Sequence, residues 1–385
     1  MKALKILHII YPQSGENIGG SDLYLLELSQ LINAKTPNKS YVFYTRKGGL
    51  SHILEAKNTN VKSFFVDEKK NNFIKAALSL HRIVEEFKID IIHSHGYDAN
   101  YLTALYRIFR SIFWRKSHKC FFVTTAHGWI YQPFPIFLKT LLDYGTFPFF
   151  DGVVIVNHQQ KKIVEKLFLR KSTIVRHIPT AVTFRVEEDR KDDKRFENLR
   201  GIVFSFIGRL SKEKRIDLAI EVFRGLSELI PKSRCLIIGG GLEKEKVLDQ
   251  LKSLDKKKRK RLVFKGYLPR EKLQKILKKV NVLFISSDSE GCPRTALEAM
   301  NSRILVVSRD VGYMKKLIGR NKRGLILNSD RPHEIAFEIF NFLSNQRKKI
   351  PMILDTAKDY VSRYHPPEKF LKEYIRFYYK IYRKT

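Results

Sequence analysis

Short, β-branched apolar runs alternate with amphipathic stretches along almost the whole chain, and few folds accept that rhythm. Between residues 4 and 157 the runs are "LKILHII", "YVFYTR", "VKSFFVD", "DIIHSH", "CFFVTTAH" and "VVIVN". Most are apolar nearly throughout, as strands are when both faces of a parallel sheet are covered. The intervening "SDLYLLELSQLIN" and "FIKAALSLHRIVEEFK" have helical spacing. Strands joined by such helices give a doubly wound α/β domain.

The polar run "RVEEDRKDDKRFENLR" breaks the rhythm, which restarts with "IVFSFI", "RCLIIG", "LVFKGY", "VLFISS", "ILVVS" and "GLIL". The sequence therefore predicts an α/β domain over 1–184, a linker over 185–200, a second α/β domain over 201–365 and a tail helix over 366–385. A chain of 385 residues is long enough for two cores. The tail, "PPEKFLKEYIRFYYKIYRK", opens with prolines and carries an apolar stripe at Phe370, Tyr374, Phe377 and Ile381. That stripe must pack on another element.

Charge narrows the partners. With 73 basic and 39 acidic residues the net charge is +34, which favours polyanions: nucleic acid, anionic lipid or phosphorylated substrates. Nucleic acid is not expected, because the basic residues spread over both domains without a recognition module or concentrated stripe. Cys120, Cys235 and Cys292 show neither metal-ligand spacing nor a disulfide framework, which suits a reducing compartment. "MKALKILHIIYPQSG", with Lys5 and His8 inside it, is a first strand and not a signal peptide. The aromatic stretch 129–150 holds Lys139, Asp143 and three prolines, which argues against a membrane span. A cytoplasmic, soluble or peripheral protein is expected.

Ligands of parallel sheets bind beyond the carboxyl ends of the strands, so the loops there carry the chemistry. In "IVFSFIGRLSKEKRIDLAIEVF", Arg209 and Lys214 sit between strand and helix, where two cations and the helix terminus suit a diphosphate; solvated cations would look the same. In "LIIGGGLEKEKV", Gly239 and Gly241 begin a dinucleotide fingerprint, but Lys244 occupies its third glycine position. A tight turn and close approach to a nucleotide both fit. Gly19 and Gly20 precede a helix and leave room for a ligand or merely a flexible loop. His93 and His95 share a face at a strand end, but no third metal ligand is apparent and no metal site is expected. His127, before Gly128, is placed to hydrogen-bond a ligand or to serve structurally.

In "SDSEGCPRTALEAM", Glu290 lies in a turn and Glu298 in the second turn of a helix whose first residue is expected to be Pro293. Glu298 there can accept hydrogen bonds from vicinal hydroxyls, as an acidic residue does for a ribose, while Glu290 reaches another part of the same ligand. Acids also favour helix starts without any ligand. A diphosphate with a sugar at each end would use both glutamates and both cations, and that ligand is a nucleotide sugar.

Together these motifs resemble glycosyltransferase family four, retaining enzymes of the GT-B fold. "EGCPRTALEAM" is similar to its Glu-x7-Glu motif, and "GRLSKEK", "GGSDLYLLEL", "DIIHSHG", "TAHG" and "FKGYLPREKL" follow the family's order over nearly the whole chain. The resemblance implies two Rossmann-like domains facing a central cleft, with the tail helix crossing back to the first. It implies that Arg209 and Lys214 hold the donor diphosphate, Glu298 the ribose, Glu290 the donor sugar and backbone near Tyr267 the base. Gly208, Gly239 and Gly291 join this donor site, and Gly20 faces the cleft from the first domain. His95 and His127 fall on the acceptor side, and His127, Arg209, Lys214 and Glu290 form the catalytic set. No cofactor or essential metal is implied, and a UDP-sugar is favoured over a GDP-sugar. The reaction the resemblance implies is a front-face displacement without a side-chain nucleophile. Arg215 for a usual glycine, Cys292 for an aromatic, "IPTAVT" and "VGYMKKL" depart from the family pattern without removing these contacts.

The expected acceptor is a glycan or lipid-linked molecule in cell-surface polysaccharide or glycolipid synthesis. "YRIFRSIFWRKSHKCFF" interleaves Arg107, Arg110, Arg115 and Lys116 with Ile108, Phe109, Phe113 and Trp114, and "WIYQPFPIFLKTLLDYGTFPFF" adds aromatics. Basic residues among aromatic anchors suit the anionic inner face of the cytoplasmic membrane. Another GT-B enzyme, a nucleotide-sugar epimerase or small-acceptor synthase, is the alternative; a basic nucleic-acid-binding protein is the more distant one.

Overall fold

The structure, a computed structural model, describes residues 2–12, 18–55, 59–67, 73–115, 117–127, 136–157, 161, 164–166, 172–183, 196–197 and 199–384. Most of the expected linker, the aromatic stretch 128–135 and Lys116 lie outside the described residues. Two compact units are present, Met1–Ala181 with Pro367–Thr385, and Val182–Pro366.

Among the described residues, the first unit has a seven-stranded sheet of β1 (Lys5–Ile10), β2 (Lys39–Tyr44), β3 (Lys62–Phe65), β4 (Ile91–His95), β5 (Phe121–Ala126), β6 (Gly152–Ile155) and β7 (Ile174–His177). The order is β3-β2-β1-β4-β5-β6-β7, with every pairing parallel. Six of these strands are the apolar runs of the sequence. The seventh has Arg176 and His177 within four residues and lies at the sheet edge, where one neighbour suffices.

Helices cover both faces. Ala76, Leu80 and Val84 of helix Phe73–Phe87, with Leu102 and Tyr106 of helix Tyr97–Phe113, pack on the face carrying Leu7, Ile9, Ile92 and Phe122. On the other face, helix Gly20–Lys35 and helix Pro367–Tyr382 lie over Leu4, Ile6, Ile91 and Val123. The tail stripe Phe370, Tyr374, Phe377 and Ile381 is buried there together with Leu371 and Tyr378. Each such burial contributes roughly 1.5–3 kcal/mol, which holds the returning helix on this sheet.

The second unit repeats the plan with β8 (Val203–Ile207), β9 (Arg234–Ile238), β10 (Leu262–Gly266), β11 (Val282–Ile285), β12 (Leu305–Arg309) and β13 (Leu325–Leu327). Their order is β10-β9-β8-β11-β12-β13, again parallel. The strand order reverses between β1 and β4 in one sheet and between β8 and β11 in the other. At such points the loops leave to opposite faces and open a crevice at the carboxyl ends.

Candidate functional site

In the second unit the loops after β8 and β11 meet at the reversal. Lys214, in the 3-10 turn Lys212–Lys214, donates to Glu290 Oε1 at 2.8 Å. Ser287 Oγ donates to the same oxygen at 2.6 Å. Backbone bonds fix the approach: Asp288 N donates to Glu213 O at 2.9 Å, and Ser286 Oγ to Lys214 O at 2.7 Å. Glu290 is 8% exposed, and the Lys214 side chain 22%. A carboxylate this buried needs a partner, and the lysine supplies it. Arg209 pairs instead with Glu213 at 2.7 Å and stays largely in water.

Arg309, at the end of β12, clamps the Glu290 loop from the other side. Its guanidinium donates to the carbonyls of Ser286 and Ser287 at 3.3 and 3.1 Å and to Asp288 at 2.7 Å. Gly312 completes the support with φ +51, where any Cβ would sit 1.7 Å from the Glu290 carbonyl oxygen. Only glycine fits so close to another backbone.

Glu298 is buried in helix Arg294–Asn301, one turn from Arg294, whose guanidinium lies 3.5 Å from it. Pro293 is not the first helical residue: it sits at the cap with φ −67 and ψ 122, since its ring fixes φ alone and leaves ψ free to be extended. Cys292, two residues from Glu290, is half-buried, and desolvation pushes its thiol up to about 12. Gly291 lies half-buried between them.

The glycine loops are stitched to one another. Gly208 N donates to Ile238 O at 3.0 Å, and Gly239 N to Gly266 O at 2.9 Å, beside half-buried Tyr267. At Gly239 (φ +147) a Cβ would lie 1.8 Å from the Gly208 carbonyl oxygen, so backbone crowding alone accounts for this glycine. Arg215 takes the left-handed conformation (φ 47) suited to the family's glycine, and its ion pairs with Asp217 and Asp288 offset the strain.

The first unit gathers its histidines at the reversal between β1 and β4. His8 and His93 are register partners on adjacent strands and present the same face. His8 Nδ1 lies 3.0 Å from His95 Nε2, and His95 Nδ1 lies 3.1 Å from His127 Nε2. His95 is thus buried between two imidazoles, where an open acceptor-side position was expected, because strand pairing brings His8 over it. The same contact supplies the third imidazole that spacing did not reveal. His8, His93 and His95 each offer a ligand atom within 4.8 Å of the others, enough to hold a metal ion. Both His93 nitrogens, however, are engaged at 2.7 Å, Nδ1 with Tyr378 and Nε2 with Thr125. Burial holds all three well below the usual histidine range, His8 at about 3, so they are neutral at neutral pH.

From His93 the network runs on: Thr125 to Tyr374 at 3.1 Å, then Tyr374 to Tyr24 at 2.6 Å. Tyr24 stands edge-on to His127, ring centres 4.9 Å apart. Gly20, the first residue of helix Gly20–Lys35, is exposed, while the Gly19 amide is already bonded to buried Asp22 at 2.8 Å.

In the basic-aromatic segment, the structure redirects several expected anchors. Arg107 is spent on Asp151 and the Phe149 carbonyl, Arg110 on the His118 carbonyl, and Trp114 stacks on His81 at 3.9 Å. Phe109 packs on the core, while Arg115 is exposed. The exposed apolar residues are Leu105, Ile112 and Phe113, with Leu138, Leu141 and Leu142 on helix Ile136–Gly145. Among the described residues no helix is long and apolar enough to cross a membrane.

Residues 18–184 match the model of Glycosyltransferase Family 4 and residues 187–358 that of Glycosyl transferases group 1. An uncharacterized glycosyltransferase of Methanocaldococcus jannaschii is 26% identical over 65% of this chain and 64% of its own length. The poly(ribitol-phosphate) alpha-N-acetylglucosaminyltransferase of Staphylococcus aureus is 30% identical over 37% of this chain and 28% of its own. The chain thus spans less than two thirds of these relatives. Anabaena HepE, solved in complex with UDP-glucose, superimposes with a TM-score of 0.78 at 16% identity, covering 97% of this chain and 99% of that one. This likeness shows the GT-B fold.

Proposed function

The chain belongs to the family-four glycosyltransferases, and on that premise we propose that it moves a hexose-type sugar, with retention, from a nucleoside diphosphate to a hydroxyl. The observation that carries this reading is the Lys214–Glu290 pair at the reversal of the second sheet. A cation and a carboxylate 76 residues apart converge there on one crevice, with Arg209 in the loop after β8 and Glu298 on helix Arg294–Asn301. On binding, Lys214 and Arg209 would take up the diphosphate and stabilise the charge growing on it as the sugar departs. Glu298 would accept from the ribose hydroxyls, Glu290 would meet the sugar, and backbone near Gly239 and Tyr267 would line the base. His127 would contact a substrate oxygen. UDP is the favoured carrier, as HepE was solved with UDP-glucose.

Calorimetric titration with UDP, GDP and ADP tests this. One diphosphate is expected to bind selectively, and Glu298→Ala to weaken it at least tenfold, about 1.4 kcal/mol. Failure of all three to bind would remove the reading.

The acceptor is proposed to be a glycan or lipid-linked molecule of the cell surface, met at the inner face of the cytoplasmic membrane. Support comes from the net charge of +34 and from the exposed residues Ile112, Phe113, Leu138 and Leu142. Co-sedimentation with anionic vesicles should fade as salt is raised. Equal sedimentation with neutral vesicles would count against it.

A further inference from the structure

We propose that His95, backed by His8, is a positioning residue that holds His127 in a single tautomer, with Nε2 accepting from His95 and the ring proton on Nδ1. The role of His127 rests on the function proposed above; its tautomer does not. The contacts His8 Nδ1–His95 Nε2 (3.0 Å) and His95 Nδ1–His127 Nε2 (3.1 Å) form one chain of three imidazoles. His8 and His95 are sealed from water, and burial keeps both neutral, so each carries one proton. A neutral imidazole has one donor and one acceptor, so the chain must run in one direction.

The far end selects the direction. His8 Nε2 is buried and, among the described residues, has no hydrogen-bond partner. If the chain pointed towards His8, this nitrogen would carry an orphaned N–H, a rare arrangement in folded proteins. Pointed the other way, His8 Nδ1–H donates to His95 Nε2, His95 Nδ1–H donates to His127 Nε2, and only a bare lone pair is left inside. A zinc ion on His8, His93 and His95 would compete with this arrangement. It would have to displace Tyr378 or Thr125 from His93, and among the described residues no carboxylate hydrogen-bonds to any of the three to balance its charge.

The test uses the full chain labelled with 15N-histidine. Long-range proton–nitrogen correlation spectra are expected to show His127 protonated on Nδ1 alone. His95→Leu should let His127 exchange between tautomers, and His95→Asn, whose amide N–H replaces that of Nδ1, should restore the single form. With a working transfer assay, kcat is expected to fall roughly ten- to a hundredfold in His95→Leu, with KM for the nucleotide sugar within about twofold, and to recover in His95→Asn. Should His95→Leu not fold, the wild-type spectrum decides together with His8→Leu, in which a reversed chain would orphan the N–H of buried His95 Nε2, so that His127 is expected to keep its proton on Nδ1. A proton on His127 Nε2, an unchanged tautomer in folded His95→Leu, or stoichiometric zinc in the purified protein would each overturn the proposal. Absence of any transfer activity would instead count against the proposed function and leave the spectra to judge the chain.

Discussion

In the second unit the polar groups at the strand ends are charged and reach water; in the first they are neutral and sealed. Lys214 is 22% exposed beside Glu290, whereas His8, His93, Tyr374 and Tyr378 are at 0%. The contrast shows two ways of placing polar groups in a parallel sheet. Ion pairs such as Lys214–Glu290 and Arg309–Asp288 keep loops in position yet can be traded for contacts to a ligand. A chain of imidazoles and phenols cannot be traded, since breaking one bond strands a buried donor or acceptor.

Activity gives the sharpest division. Lys214→Ala should lower the rate of nucleoside diphosphate release from a donor sugar by roughly a hundred- to a thousandfold, as loss of one charge-stabilising group does elsewhere. Its unfolding free energy should fall by about 1–3 kcal/mol as well, because Glu290, 8% exposed, keeps the Ser287 hydroxyl but loses its cation. A large loss of stability with intact turnover would reverse the roles assigned to the two units.

Acid should strike the first unit. The histidines are lowered in the folded state, so the unfolded chain takes up their protons first. Their contribution is complete above about pH 6.5 and is lost as pH falls from there towards 3, the value of His8. Each should remove about 1.4 kcal/mol between pH 7.5 and 5.5. Thermal unfolding followed at both pH values checks this; a flat response would mean that the imidazoles are not sealed.

The third expectation is smaller. Tyr378→Phe strands His93 Nδ1 in the interior and should cost about 1–3 kcal/mol in denaturant titration. The same change at exposed Tyr364 is the control and should be nearly silent.

The two regions also differ in how legible they are in the sequence. The second unit's site is compact in sequence: "GRLSKEK" and "EGCPRTALEAM" each lie just past a strand, so residue type and position named Arg209, Lys214, Glu290 and Glu298. Arg309 and Gly312 escaped notice because their task is to support another loop's backbone, which leaves no mark in their own segment. In the first unit the network joins residues 8, 93, 95, 125, 127, 374 and 378. Strand order, which periodicity cannot supply, sets His8 against His93. The tail stripe was visible at helical spacing, but Tyr378 became significant only once the helix had a surface to lie on. Among the described residues, twelve strands stand out in the sequence as apolar runs, whereas β7 does not, because an edge strand can be polar.

The return of helix Pro367–Tyr382 to the first sheet has a further consequence, for synthesis. The second unit is continuous, Val182–Pro366, and can close as soon as its last residue leaves the ribosome. The first unit cannot, since Phe370, Leu371, Tyr374, Phe377, Tyr378 and Ile381 belong to its core and the whole second unit is made before them. At about 5–20 residues per second, an apolar sheet face waits several seconds or more for its cover. The usual amino-first order of folding is therefore inverted here, and a chaperone that shields β-strands during translation would act on the segment made first.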